Sequence, residues 1–294
     1  MKDKLLILGG DGFIGGHVAD EALKRGLDVT VFDQRQQGRR TDIGAILGDI
    51  RDPDAVRDAV MISDYAINLA AILGTQETIR TAAHCVAVNI GGTLNFLEAC
   101  VPSGFHQVRG VQIGIGNYWM DSPYPITKRA AISFVRMFNQ ELGTKVAMVR
   151  GMHAYGERQK HLPVRKIVPT FIVQALRGEP LTVYGDGEQV LDMIYVRDLA
   201  TVLLDACISP NAEYDHVYEA GLGRPLTAND VACEIIKSAG SSSEIIHLPM
   251  RPGEEPNAVV SARPETLEGL GNYDFVRFED GIRQVVDWYR RNYV

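Results

Sequence analysis

Cysteine is scarce and scattered. The four thiols, Cys85, Cys100, Cys207 and Cys233, form no C-x-x-C pair and have no cluster of histidines beside them. Neither a disulfide framework nor a zinc site is expected, and no residue is assigned as a metal ligand. Long apolar runs are missing too. None reaches the length that spans a bilayer, and no signal peptide is visible before the first strand-like segment, Leu5–Leu8. A cytoplasmic protein with no membrane partner is the expectation. No basic run dominates either. The 30 lysines and arginines stand against 37 aspartates and glutamates, a net charge of −7, which argues against nucleic acid as a partner. Repeats and low-complexity segments are not seen. What is present is 294 residues with 46% hydrophobic content, enough for one large core or two unequal ones.

The first half alternates short apolar runs with amphipathic stretches. Leu5–Leu8, Asp28–Phe32, Ala45–Gly48, Tyr65–Ala70, Gln107–Ile113 and Lys145–Val149 read as strands. Phe13–Arg25, Pro53–Val60, Val86–Cys100 and Pro123–Leu142 read as helices between them. Short apolar runs separated by helices are the pattern of buried parallel strands, so an α/β, doubly wound parallel (Rossmann) sheet is expected. Beyond about Gly156 prolines and turn residues increase. A helix ending at Leu176, further helices at Val196–Cys207 and Asn229–Ser238, and a terminal helix at Glu279–Arg291 follow. This reads as a dinucleotide-binding domain over 1–160, with 190–210 returning to it, and a smaller substrate-binding domain over 161–294.

Gly9, Gly12 and Gly15 form G-x-x-G-x-x-G between a strand and a helix. That context fits a dinucleotide diphosphate: one glycine for the tight turn, one for close approach of the phosphates, one for helix–strand packing. The helix N-terminus adds free N–H groups and a positive dipole end. Asp33 ends the second strand, 18 residues after Gly15, where an acid takes the adenosine ribose hydroxyls and repels a ribose phosphate. NAD is therefore favoured over NADP, although Arg35, Arg39 and Arg40 follow closely and would suit NADP. Tyr124 and Lys128, four apart in "YPITK", share one helix face. An ammonium beside a phenol favours the phenolate, so Tyr124 is a candidate general base. Asp121 or Ser122 would cap that helix, with Pro123 and Pro125 in its first turn.

The spacing of these glycines, with Phe13 and Ile14 before the last, resembles the extended short-chain dehydrogenase/reductases, the nucleotide-sugar epimerase and dehydratase group. "GDIRD" is similar to the family's adenine-contacting stretch, which places Asp49 and Ile50 at the cofactor. "NLAA" is similar to its cofactor-side segment (Leu69, Ala70, Ala71), and "NIGGTLNFLEAC" to the helix that begins at Asn89. "VRGMHAYGERQ", "YGDGEQVLDMIYVRDLA" and "RPGEE" resemble later blocks, so the likeness covers nearly the whole chain. The resemblance implies a nucleotide-diphosphate sugar as substrate, with Asn117, His153, Arg158 and Arg251 at its site. It also implies a homodimer formed through helices 86–100 and 123–142.

The pattern fails at several places. Counting back from Trp119, the family's serine or threonine falls on Ile115, flanked by Gly114 and Gly116, so its hydroxyl is missing. Asn117, a glycine N–H or water would have to substitute. The acid pair of the dehydratases is replaced by Gly116 and Asn117, which also removes the acid that decarboxylating relatives carry. Asp121 is the only carboxylate nearby, and Leu191 stands where an arginine is usual. The expected function is an NAD-dependent nucleotide-sugar epimerase, acting at carbon 4 through a transient keto-sugar. A dehydratase, a keto-sugar reductase and a cofactor-bound member without catalysis are the alternatives.

Overall fold

A computed structural model of the chain describes residues 2–35, 40–104 and 106–293. β1 (Lys4–Leu8), α1 (Phe13–Lys24), β2 (Asp28–Asp33), β3 (Gly44–Leu47), α2 (Pro53–Met61) and β4 (Tyr65–Asn68) come first. They are followed by α3 (Ala82–Val86), α4 (Gly92–Ala99), β5 (Arg109–Ile115), α5 (Pro123–Leu142) and β6 (Lys145–Gly151). Then come β7 (His153–Tyr155), α6 (Ile167–Leu176), β8 (Leu181–Tyr184), β9 (Val190–Leu191), β10 (Met193–Tyr195), α7 (Val196–Ile208) and β11 (Val217–Ala220). β12 (Leu226–Thr227), α8 (Ala228–Ala239), β13 (Ile245–Leu248) and α9 (Phe278–Asn292) complete the order.

Seven strands form one parallel sheet in the order β11-β6-β5-β4-β1-β2-β3. Alternate residues of each strand serve opposite faces. Leu5 and Ile7 of β1 join Val18, Leu199 and Leu203 on one side, with α1 and α7. Leu6 and Leu8 join Val56, Phe96 and Val135 on the other, with α2, α4 and α5. Burial on both faces explains why these strands read as unbroken apolar runs. The strand order reverses between β1 and β4, and the carboxyl ends there open into the crevice where such folds bind ligands. A third cluster, around Tyr155, Phe171, Ile235 and Val286, holds α6, α8 and α9 together beyond the sheet. Among the described residues no helix is long and apolar enough to cross a membrane.

Three details depart from expectation. The return of the chain to the sheet does not stop near residue 210. β11 continues it to Ala220 and pairs with β6 as the outer strand. The helix expected over 86–100 begins at Ala82 and is interrupted by a π-type turn over Ala87–Gly91. Two glycines lie at this turn, and a Cβ on Gly92 would lie 2.6 Å from Ile50 Cγ2, so the helix passes too close to Ile50 for a side chain. Finally, β4 stops at Asn68 rather than Ala70. There Leu69 N donates to Leu8 O (2.9 Å) and Ala70 N to the Asn68 side chain (3.2 Å).

Candidate active site

The bend after β4 meets the glycine turn after β1. Gly9 has φ +77°, and a Cβ there would lie 2.7 Å from Ala70 N. A Cβ on Gly15 would lie 2.6 Å from Gly9 O and from the Gly10 Cα. Only glycine allows α1 to start this close to the strand ends. α1 opens at Gly12 without a side-chain cap, which leaves its N-terminus to an anion. Gly9, Gly12, Phe13, Ile14, Gly15, Asp33, Asp49, Ile50, Leu69, Ala70 and Ala71 all line one cavity of about 550 Å³. Asp33 accepts from Arg35 N (3.2 Å) and Asp11 N (3.3 Å), and burial raises its carboxyl above the usual range. The hydrogen bond from Arg51 lowers Asp49. Of the arginines that would suit NADP, Arg40 is committed to Asp20 (2.6 Å) and Asp42 (2.8 Å), and Arg39 lies outside the described residues.

Tyr124 and Lys128 of α5 line the same cavity. Lys128 is 3% exposed, and among the described residues neither its ammonium nor the Tyr124 hydroxyl has a hydrogen-bond partner. The side chain is buried and its ammonium opens on the cavity without a protein partner among the described residues, which marks a place where a ligand's hydroxyls belong. Burial lowers Lys128 to about 8. Burial pushes Tyr124 well up, and the neighbouring Cys85 adds to this. The expected lowering of the phenol by Lys128 is thus not what the protein alone shows. Desolvation of the phenol is the larger cause, and Lys128 is not among the groups that shift it. The glycine cradle, Asp33 and this orphaned ammonium together fit a nicotinamide dinucleotide.

Helix α5 starts at Ser122, but no side chain caps it. Ser122 Oγ is buried without a partner, and the Asp121 side chain is 86% exposed, 3.8 Å from Arg129. Neither candidate cap acts as one, because Asp121 points to solvent. The preceding loop is pinned instead by Arg129, which donates to Tyr118 O (3.1 Å), and by Arg150 stacked 3.8 Å over the Tyr118 ring. Ile115, Gly116, Asn117 and Met120 of this loop face the cavity. The Asn117 amide sits 3.2 Å from Met120 Sδ, a weak acceptor that a better one would displace.

Two predicted site residues lie elsewhere. Asn89 does not line the cavity. Its amide is used up by Ile72 N (2.8 Å), Ile72 O (2.9 Å) and Thr127 Oγ1 (3.0 Å), so it ties the cofactor-side loop to α5 from behind. Arg158 turns to the outer side of α1, where it bonds Asp20 (2.7 Å) and His17 (3.3 Å).

His153, Arg251 and Leu191 do line the cavity, at the end away from Asp33. His153 Nδ1 is buried without a partner. Burial, reinforced by the charge of Lys166, lowers this imidazole to about 4, so it is neutral at physiological pH. Sequence reasoning missed three neighbours there: Lys166, Glu77 and Glu254. Burial lowers Lys166 and raises Glu254. Only Glu254 carried a signal, as part of "RPGEE". The other two meet Arg251 from distant segments.

A family model described as the NAD dependent epimerase/dehydratase family matches residues 5–221. A UDP-N-acetyl-alpha-D-glucosaminuronate decarboxylase of Bacillus cytotoxicus is 29% identical, covering 99% of this chain and 98% of its own. A dTDP-glucose 4,6-dehydratase of Streptomyces niveus is 28% identical, covering 98% of this chain and 93% of its own. Among solved structures, the UDP-glucose 4-epimerase of Thermus thermophilus in complex with NAD superposes with a TM-score of 0.86. It shares 28% identity over 99% of this chain and 100% of that one.

Proposed function

The chain belongs to the NAD dependent epimerase/dehydratase family, and from that premise we propose that it is a nucleotide-sugar epimerase acting at carbon 4 with NAD as cofactor. The observation that carries the choice of reaction is the loop after β5. Gly116 and Asn117 face the cavity where an acid pair would serve water loss, and Asp121 points to solvent. Bound in the glycine cradle, NAD would supply the hydride acceptor and its return.

The protein's own residues handle position and protons. The N-terminus of α1 and the turn at Gly9 hold the cofactor's diphosphate, and Asp33 takes the adenosine ribose hydroxyls. Lys128 donates to the nicotinamide ribose and places its charge beside Tyr124. Tyr124 takes the proton from the sugar hydroxyl and returns it after the sugar has presented its other face. With Ile115 in place of a hydroxyl residue, the Asn117 amide orients the reacting hydroxyl. His153 and Arg251 hold the substrate at the far end, and the segments beyond about 160 that stay outside the sheet, around α6, α8 and α9, form the substrate-binding unit. Enclosing the reaction in one apolar-walled cavity keeps the transient keto-sugar from solvent.

A second copy of this chain completes the assembly. Ile79, Val86, Ile126 and Met137 are exposed on the adjoining α3 and α5 region, an apolar face that self-association would cover. A monomer mass by light scattering would refute this part.

The test is proton NMR of the protein with UDP-, dTDP- and GDP-sugars in deuterated water. A stereoisomer of unchanged mass, free of solvent deuterium and without net NADH, is expected. A dTDP-glucose 4,6-dehydratase is among the similar proteins, which makes a dehydratase the second reading. A keto-deoxy sugar carrying solvent deuterium would establish that reading instead.

A further inference from the structure

Arg251 has no free nitrogen. Its Nη2 donates to Glu77 (3.1 Å) and its Nε to Gln76 (3.1 Å), with Glu254 3.6 Å from the Nε. Its Nη1 reaches Arg165 O at 3.5 Å, and the guanidinium lies 5.5 Å over the Tyr184 ring. Its side chain is only 11% exposed. A diphosphate gripped by a guanidinium needs two of its donors in fork geometry. Gln76 and Glu77 hold the Nε–Nη2 edge of that fork, so a diphosphate gripped on this edge has to displace them.

The partners differ in how easily they leave. Glu254 sits three residues away on the same turn, and Arg165 offers a main-chain carbonyl. Glu77 comes from a distant part of the chain, the segment that follows β4. Its other oxygen, Oε2, is buried with no partner among the described residues and lies against Gly74, where a Cβ would come within 2.5 Å of it. Gly74 has φ +112°, a conformation that other residues rarely adopt. A diphosphate on Arg251 would set like charges beside this carboxylate. A substitute partner is near: Lys166 feels the charge of Glu77 and has no hydrogen bond of its own among the described residues.

We propose that Glu77 is the affinity-determining residue of this site: it occupies Arg251 in the free protein, and the substrate's diphosphate takes its place. The released carboxylate passes to Lys166. Every binding event thus starts from a closed cation, and apparent affinity is scaled by the fraction of molecules in which Arg251 is open. The inference rests on the nucleotide-sugar reading above.

The experiment is calorimetric titration of the NAD-saturated protein with UDP, dTDP and GDP. Wild type is compared with Glu77→Gln, Arg251→Ala and the double variant. For the diphosphate that wild type binds, Glu77→Gln tightens binding about tenfold, the gain expected if about a tenth of the molecules are open. The gain vanishes in the Arg251→Ala background. Glu77→Asp, whose shorter side chain no longer reaches Arg251, shifts affinity the same way and serves if Glu77→Gln does not fold. Unchanged or weaker binding by folded Glu77 variants, while Arg251→Ala still loses affinity, overturns the exchange and leaves the substrate reading standing. If none of the three diphosphates binds wild type, the exchange and the substrate reading fall together.

Discussion

Replacing Lys128 with methionine should stabilise the nucleotide-free protein while abolishing its activity. The ammonium is 3% exposed and has no hydrogen-bond partner among the described residues, and burial lowers it from 10.5 to about 8. At about 1.4 kcal/mol per tenfold change in proton affinity, holding the charge inside costs about 3 kcal/mol. Methionine has a similar length and no charge, so it keeps the packing and removes this cost. The pH dependence follows from the direction of the shift. Below about 8 the lysine is protonated in both folded and unfolded chains, and the whole penalty is present. Between about 8 and 10.5 the folded protein releases the proton first, so wild type gains stability relative to the variant. Above 10.5 the two differ little. Urea denaturation of nucleotide-free protein at pH 7, 9 and 10.5 reads this directly. A Lys128→Met variant no more stable than wild type at pH 7, or an advantage that grows as pH rises, would refute the reasoning.

Tyr124→Phe should lower kcat about 10²–10⁴-fold, the contribution typical of a positioned acid–base group. Cofactor binding, read by nicotinamide fluorescence, should be retained. Asn117→Ala should lower kcat by at least about 100-fold with little change in KM, as expected when one donor to the reacting oxygen is removed; steady-state assay of the epimerisation decides, and an unchanged kcat removes Asn117 from the mechanism. Arg158→Ala should leave KM for the nucleotide sugar within about twofold, because its guanidinium binds Asp20 outside the cavity. Its surface pair is worth about 1 kcal/mol at most.

The signals that were legible in the chain are local ones. The glycine turn, Asp33 at the end of β2 and the proline-led start of α5 at Pro123 each depend on a few neighbouring residues, and their spacing survives in the fold. What could not be read depends on encounters between distant segments. Glu77, Lys166 and Arg251 belong to three stretches that only the folded chain brings to one wall. Asn89 matches a familiar position, yet its amide is spent on Ile72 and Thr127, a partnership invisible without the loop's path. The phenol of Tyr124 shows the same limit in energetic form. Its expected partner is four residues away in sequence, whereas the burial that raises it is set by the whole cavity. β11 escaped notice because a four-residue strand carries little pattern of its own.

That strand also bears on how far the molecule can be divided. The chain leaves the sheet after β6, builds part of the outer unit, comes back as α7 and β11, and departs again. A fragment ending near residue 160 would lack α7, leaving the apolar face that Leu199 and Leu203 cover open to water. It would also present β6 as a bare edge ready to pair with another chain. The cofactor half is thus no independent module. Neither limited proteolysis nor a graft onto another scaffold should recover it intact, and a new substrate specificity has to be built by changing loops within the woven whole.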